Sequence, residues 1–395
     1  MIKAYHVLVP PFQFSNLQTS NRTPAYIMST EKKSVFLTGG SGFIASHILS
    51  LLIENGYKPT ASVRSPTKAN QILELHPEWV GKVKFVFVPE ITTPGAFDHV
   101  FRDQSEEDGF DYIIHTASPV TFAVKDVKKD LIDPAVHGTT EILKATHELG
   151  GKQVKRFVLL GSAVSILDSF EDLNAPEREP CAEDDWNPAT KHDAVSSQNP
   201  LIGYNVGKKN AELAAWCFMK EKNPAFELVV INPDVVLGPI LQPVPSLKNI
   251  NETNEFACYA FINDTHETVG DAMFAFWDFV DVRDVALLHI IALTSPRMAN
   301  KRHIISSGPL APQLVVNVIR KNFPELEGRL PTGGDESEVF PKGLRPTQLN
   351  NARSLEIIRQ AKGQDWSFKR LEETIVGSVQ SLLELEHKWG SQSTH

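Results

Sequence analysis

Long apolar runs and basic clusters are both missing from this sequence of 395 residues. A helix that spans a bilayer needs roughly 18 to 20 consecutive apolar residues, and no segment approaches that length. Binding to the phosphate backbone of a nucleic acid requires a concentrated surface of Lys and Arg, whereas the formal net charge here is -9. The sequence therefore predicts no membrane span and no nucleic-acid partner, and an anionic ligand would have to be held by local groups.

Cysteine is also scarce. The three cysteines, Cys181, Cys217 and Cys258, are widely spaced and odd in number. Such a set predicts neither a disulfide framework nor a metal site, because both need closely matched spacings. It favours a reducing compartment, so we expect a cytoplasmic protein without a bound metal.

Acidic residues are absent from residues 1–30, which contain three prolines and show no periodicity. This composition predicts a disordered N-terminal extension. Two alternatives stay open for it: a targeting segment, and a stretch that precedes an alternative start at Met28.

From Ser34 onward, short apolar runs alternate with helical patterns. Strands that alternate with helices imply a parallel sheet covered on both faces. We therefore predict an α/β fold of the Rossmann type, a doubly wound parallel sheet, with an NADP-binding domain over residues 31–237. The predicted strands are 35–38, 57–64, 83–88, 112–116, 156–160 and 228–232.

Two later regions depart from this alternation. Residues 168–200 are rich in Asp, Glu, Pro and Ser without a sustained period, which predicts a long surface insertion beside the active site. After Gly238 the pattern becomes one of mixed loops and helices, ending in an amphipathic helix over about 369–387. We expect residues 238–395 to form mainly a smaller C-terminal substrate lobe, with some segments returning to the Rossmann domain.

A glycine-rich turn, TGGSGFIA over 38–45, lies where the first strand passes into a helix. In that context the motif predicts dinucleotide binding. Gly39 permits the tight turn, Gly42 lets the backbone approach a pyrophosphate, and Ala45 keeps the helix close to the sheet. The helix N-terminus offers free N–H groups and a positive dipole end to the phosphates. Further cofactor contacts are predicted for Ser41, Phe43 and Ile44.

The end of the second strand indicates which dinucleotide is bound. A carboxylate there would accept a hydrogen bond from the ribose 2′-hydroxyl of NAD. This chain has Arg64 instead, followed by Lys68, and no carboxylate between Tyr57 and Gln71. Two cations suit the 2′-phosphate of NADP, so we predict NADPH as the cofactor. The alternative is that both cations are solvated surface side chains.

The third and fourth strands end in segments that would border the same site. Glu90 is a candidate for the adenine edge together with Ile91, and an exposed glutamate without a ligand is the alternative. His115 ends the fourth strand, either as a cofactor contact or as a hydrogen-bonded residue of the strand end. Small side chains follow and leave room for the ribose and nicotinamide half of the cofactor. They are Thr116, Ala117 and Ser118.

Tyr204 and Lys208 are the predicted catalytic pair. They lie four residues apart at the start of a helix and so on one face of it, downstream of a strand that ends beside Ser162. A tyrosine with a pKa of about 10 is a poor acid–base at neutral pH, and we expect the Lys208 ammonium and an oxidised nicotinamide to lower it. Ser162 would hydrogen-bond the substrate carbonyl oxygen. The alternative is an ordinary amphipathic pair.

Over nearly all of residues 34–385 these motifs resemble the extended short-chain dehydrogenases/reductases. Within them the chain is similar to the dihydroflavonol reductase-like group, which includes fungal aldehyde, ketone and methylglyoxal reductases. Two departures are Glu90, where the family usually has Asp, and Gly161, in a serine motif that is usually T-S-S-A. The resembling segments are TGGSGFIASHI, ASVRSPTK, FVFVPEIT, HTASP, LLGSA, YNVGK, INPDVVLGP and FVDVRDVA.

The resemblance implies a Ser-Tyr-Lys mechanism on Ser162, Tyr204 and Lys208, with the last two also touching the cofactor. It places Pro233 and Val235 against the nicotinamide. The activity implied is NADPH-dependent reduction of an aldehyde or ketone. Neither the identity of that carbonyl compound nor the presence of a homodimer follows from the motifs.

Two other functions share this scaffold. A nucleotide-sugar epimerase or dehydratase would have to hold a second diphosphate with Arg or Lys, yet between Pro233 and Arg283 only Lys248 is basic. A non-catalytic NADP-binding protein typically loses the tyrosine or lysine, and both are present. Apolar candidates for a carbonyl pocket or for core are Phe256, Tyr259, Phe261, Met273, Phe274, Phe276 and Trp277.

Overall fold

The structure is a computed structural model. It describes residues 33–102, 109–118, 124–173, 179–272, 274, 277–334, 337 and 344–392. The predicted N-terminal extension, residues 1–30, lies outside this range.

Seven parallel strands form the main sheet, in the order β3-β2-β1-β4-β5-β6-β9. The order reverses beside β1, as in a doubly wound sheet. Six of the strands coincide, within one or two residues, with those predicted. The strands are β1 Ser34–Thr38, β2 Lys58–Val63, β3 Lys84–Phe87, β4 Tyr112–His115, β5 Arg156–Leu160, β6 Glu227–Pro233 and β9 Lys301–Ile305.

A second sheet has three strands, β7 Val235–Leu237, β8 Asp278–Asp281 and β10 Gly308–Pro309, in the order β10-β8-β7. Strand β7 runs parallel to β8, and β10 runs antiparallel to it. Sequence patterns predicted none of these strands and did not predict β9. The domain boundary at residue 237 stays a prediction.

Helices cover both faces of the main sheet, and others pack with the small one. The helices of the described residues are α1 Phe43–Glu54, α2 Pro66–Leu75, α3 Asp98–Arg102, α4 Asp133–Leu149, α5 Lys191–Ser197, α6 Pro200–Lys222, α7 Glu252–Ala257, α8 Val282–Thr294, α9 Pro312–Asn322, α10 Ala352–Lys362 and α11 Leu371–Gln392. In the part of the chain that the structure describes, no helix is long and apolar enough to cross a membrane.

Strand β1 shows why both faces are covered. Its successive side chains point to opposite faces, so Val35 and Leu37 pack with α1 and α8, while Phe36 packs on the other side with α4 and α6. All three are fully buried. The strand is therefore an uninterrupted apolar run, as a central parallel strand requires.

The small sheet has a hydrophobic cluster of its own. Phe261, Phe279 and Leu310 lie in this cluster with apolar residues of α9 and α11. Helix α8 and strand β9 come from the same half of the chain but pack with the main sheet.

A buried ion pair fixes helix α6, which carries the predicted catalytic tyrosine and lysine. Arg302 on β9 donates from Nε to Glu212 of α6 at 2.6 Å. The same guanidinium donates to the carbonyl oxygens of Glu183 and Asp185 at 2.7 and 2.6 Å, and it stacks over Trp186 at 3.7 Å. The predicted insertion is thus anchored, in its described part, to both the sheet and α6.

We expect Arg302→Leu to lower the free energy of unfolding by about 3–5 kcal/mol, because it leaves the buried Glu212 carboxylate without its hydrogen-bonded ion-pair partner. Urea unfolding followed by circular dichroism measures this. Arg297→Leu is the matched control: it removes an ion pair with Glu356 in which both side chains are exposed, which we expect to cost about 0–1 kcal/mol. Equal losses of unfolding free energy in the two variants would contradict the stabilising role assigned to the Arg302–Glu212 ion pair.

Candidate active site

The site lies where β1 and β4 end side by side, with Thr38 opposite His115. The Thr38 hydroxyl accepts the N–H groups of Thr116 and Ala117, each at 3.1 Å. Its own proton is therefore directed to His115 Nδ1, 2.8 Å away. Burial lowers the pKa of His115 to about 3, so the ring is neutral. Of the two roles considered for His115, the structure shows that of a hydrogen-bonded residue at the end of the strand.

The glycine turn is shaped by close backbone approaches. Gly39 has a φ of +74°, and a Cβ there would lie 3.1 Å from the backbone of Ala117. Its N–H donates to the Ser62 hydroxyl at 3.3 Å. Gly42 is the N-cap of α1 and offers no side-chain cap. The first N–H groups of the helix, which have no partner within the helix, therefore border open space where an anion would fit.

Two cations stand at the end of β2. Arg64 follows the strand and is exposed, and Lys68 lies in the first turn of α2, partly buried. Ser65 between them caps α2 by accepting the Lys68 N–H at 3.4 Å, and Pro66 occupies the first helical position, where a missing N–H costs nothing. The local fold thus turns both cations toward one side of the glycine turn.

Tyr204 and Lys208 lie in the first turns of α6, whose N-terminus is capped by the Asn199 side chain. The Ser162 side chain stands close enough to the Tyr204 hydroxyl to act on its pKa as a hydrogen-bond partner. Burial raises the pKa of Tyr204 to about 12, and this interaction acts in the opposite direction. The direction is contrary to the lowering expected from Lys208, because burial dominates. Burial also lowers the pKa of Lys208 to about 8, against the influence of Glu212.

Gly161 and Asn232 explain how Ser162 is held. Asn232 on β6 is fully buried, and its Oδ1 accepts the Ser162 N–H at 2.8 Å. A Cβ on Gly161 would lie 2.0 Å from that same oxygen. The departure from the usual serine motif therefore makes room for a buried amide that fixes the backbone beside the Ser162 hydroxyl.

One cavity of about 860 Å³ connects these groups. Every residue predicted to bind the cofactor or to act in catalysis lines it, while their roles stay predictions. Glu90 is exposed and accepts two hydrogen bonds from Thr92. The predicted residues along the cavity are Gly39, Ser41, Gly42, Phe43, Ile44, Arg64, Lys68, Glu90, Ile91, Thr116, Ala117, Ser118, Ser162, Tyr204, Lys208, Pro233 and Val235.

Of the aromatic residues considered for a carbonyl pocket, Phe256 and Phe274 line the cavity, with ring centroids 5.5 Å apart and edge to face. Tyr259 and Phe261 do not; they are buried in the cluster around the small sheet. Trp277 lines a separate small cavity. Outside the described residues lie Met273 and Phe276.

Several lining residues were not singled out from sequence. Ser62 supports the glycine turn, while Asp234 and Glu252 bring carboxyl groups to the wall. In the sequence, Asp234 lies between Pro233 and Val235, which were both predicted to contact the cofactor. This position was the one signal that could have identified Asp234 as a residue of the site. Glu252 and His266 follow irregular segments that carry no comparable pattern. Within the described ranges, no group of three or more His, Cys, Asp or Glu side chains could hold a metal ion.

The fold and this arrangement belong to a known class. Residues 35–308 match the model of the NAD dependent epimerase/dehydratase family, and the chain is a member of it. The match confirms the resemblance to extended short-chain dehydrogenases/reductases that the motifs indicated.

Individual proteins show the similarity in more detail. The chain is 32% identical to the NADPH-dependent methylglyoxal reductase GRE2 of Saccharomyces cerevisiae, over 89% of this chain and 99% of that one. It is 33% identical to the ketoreductase azaE of Aspergillus niger, over 90% and 99%. The crystal structure of yeast methylglyoxal/isovaleraldehyde reductase Gre2 complexed with NADPH superposes with a TM-score of 0.79 at 31% identity, covering 90% of this chain and 99% of that one.

The contact between Gly161 and Asn232 predicts that Gly161→Ala lowers the free energy of unfolding by about 1–3 kcal/mol, because the new methyl group must displace a buried amide. Gly328→Ala is the control, since a Cβ at Gly328 meets nothing within 4 Å. Urea unfolding measures both. The double variant Gly161→Ala/Asn232→Ala should lose less than the sum of its single variants; strict additivity would count against the contact.

The cations at the end of β2 predict that Arg64→Ala lowers the affinity for NADPH about tenfold, with little change for NADH, because a charge-assisted hydrogen bond to a phosphate is worth roughly 1.5–3 kcal/mol. Titration of the protein fluorescence with each dinucleotide measures the ratio. Lys84→Ala removes an equal charge from the opposite end of β3 and serves as the control. An unchanged NADPH-to-NADH ratio in Arg64→Ala would rule out this role.

Proposed function

We propose that this chain reduces an aldehyde or ketone to the corresponding alcohol with NADPH, by a Ser-Tyr-Lys mechanism. The observation that carries the proposal is that Ser162, Tyr204 and Lys208 line one cavity together with an uncapped helix N-terminus and a pair of cations. The NADPH-dependent methylglyoxal reductase and the ketoreductase among its relatives support the same reaction class.

The residues present fit NADPH. The N–H groups at the start of α1 suit the pyrophosphate, Arg64 and Lys68 suit the 2′-phosphate, and the small residues after β4 leave room for the nicotinamide half. When bound, the cofactor supplies the hydride.

The proton comes from the protein. Burial keeps Tyr204 in its phenol form, with a pKa raised to about 12, so the hydroxyl can donate to the oxygen of the substrate. Ser162 donates a second hydrogen bond to that oxygen, and the two together stabilise the negative charge that develops on it. The Lys208 ammonium, on the same face of α6, favours the phenolate once the Tyr204 proton has left.

The distribution of charge along the cavity favours this function over a nucleotide-sugar epimerase. Among the described lining residues, those from Pro233 to Phe274 include no Lys or Arg. A second diphosphate would require such side chains at the substrate end. The presence of both Tyr204 and Lys208 in the cavity likewise supports an enzyme over a non-catalytic NADP-binding protein. The cysteine pattern supports a cytoplasmic location.

Tyr204→Phe tests the mechanism. We expect kcat for reduction of an aldehyde to fall by about 100-fold or more, because the proton donor is lost, while NADPH affinity stays within about twofold. Loss of NADPH absorbance on mixing with methylglyoxal or isovaleraldehyde measures the rate, and fluorescence titration measures binding.

Tyr57→Phe is the matched control, since Tyr57 precedes β2 at the opposite end of the sheet, and it should retain the wild-type rate. Substantial residual activity in Tyr204→Phe would contradict the assigned role. A wild-type protein that binds NADPH but converts a nucleotide sugar without net NADPH consumption would favour the epimerase instead.

A further inference from the structure

Asp234 places a carboxyl group at the junction of β6 and β7, between Pro233 and Val235, which both line the large cavity. Its backbone N–H donates to the carbonyl oxygen of Ile305 at 3.2 Å. Its Oδ1 accepts the Val235 N–H at 2.8 Å. The residue is thus held in place from both sides. It also lines a second, smaller cavity.

A second carboxyl group stands behind it. Asp278 on β8 is 5% exposed, lines the smaller cavity, and has no hydrogen-bond partner for its Oδ1 among the described residues. Burial raises the pKa of Asp278 to about 7. Burial and the neighbouring Asp278 raise the pKa of Asp234 well above its usual range. Because two like charges this close do not both ionise, the pair retains at least one proton near neutral pH.

The stretch of the wall around Asp234 offers no Lys or Arg as a counter-charge. Between Pro233 and Phe274 the described lining residues include neither, and they add an exposed carboxyl group at Glu252 and the imidazole of His266. The rest of this end carries the aromatic rings of Phe256 and Phe274. A ligand group that reaches Asp234 therefore meets a wall that hydrogen-bonds neutral polar groups and repels anions.

We propose that Asp234 is a specificity-determining residue that selects neutral carbonyl compounds bearing a hydroxyl group over those bearing a carboxylate. A hydroxyl group both donates and accepts, so it matches the pair of Asp234 and Asp278 in either protonation state. A carboxylate instead brings a second negative charge to a stretch of wall whose described lining residues, from Pro233 to Phe274, include no Lys or Arg. The inference rests on the proposed reductase function and assigns its substrate class.

Three para-substituted benzaldehydes test the inference, with hydroxymethyl, ethyl and carboxy substituents of similar size. The kcat/KM of each is measured by NADPH consumption at pH about 8, above the pKa of Asp278. Ratios between two substrates are compared within one enzyme sample, so the folded fraction cancels. We expect the wild-type enzyme to favour the hydroxymethyl over the ethyl compound about fivefold, as one neutral hydrogen bond allows, and to disfavour the carboxy compound.

Asp234→Val should abolish the preference for the hydroxymethyl over the ethyl compound. The double variant Asp234→Asn/Asp278→Asn should raise the ratio of kcat/KM for the carboxy compound to that for the ethyl compound about tenfold, because it removes the negative charge. Asp111→Asn, which removes a carboxylate at the opposite edge of the sheet, should leave both ratios at their wild-type values. If Asp234→Val leaves both ratios unchanged, the inference is wrong. If the ethyl compound is still reduced in that experiment, the proposed reductase function stands. A wild-type protein that binds NADPH but oxidises it with none of the three would overturn both.

Discussion

The hydroxyl group of Thr38 joins the two strands on which the whole site depends. Strand order in the sheet reverses between β1 and β4, and a crevice opens where neighbouring loops diverge in opposite directions. By accepting two N–H groups after β4 and donating to His115, Thr38 locks the ends of both strands together. The glycine turn is thereby pressed against Ala117. This single side chain sets the spacing of the cofactor half of the cavity.

Charge changes sign along the cavity. Arg64 and Lys68 stand at the end that suits a phosphate, and Asp234 and Glu252 at the end that would receive the substrate. Between them, burial holds Tyr204 in its protonated form. In the proposed function this polarity separates two tasks, binding an anionic cofactor and admitting an uncharged carbonyl compound, and the described lining residues from Pro233 to Phe274 include no Lys or Arg for the second task.

Local patterns predicted the parts of the site that depend on local spacing. The glycine turn, Arg64 after β2 and the i,i+4 pair on α6 are each readable within a few residues. By contrast, Asn232 and Asp278 act through partners 70 and 44 positions away, and β9 joins the sheet by pairing with a strand that ends 68 residues earlier. Such contacts leave no periodic signal in the sequence. The pKa of Tyr204 was expected to fall because charge was considered without burial.

The anchoring of α6 by Arg302 bears on how the active enzyme is formed. The guanidinium joins a late strand, the catalytic helix and the carbonyl groups of an insertion, all distant in sequence. Contacts between residues so distant in sequence form late in folding, because the entropy cost of closing the intervening loop precedes the stabilisation that the contact provides. We expect the central strands to pair before this ion pair fixes α6. Recovery of enzymatic activity during refolding would then lag behind recovery of secondary structure, making catalysis a reporter of the last step.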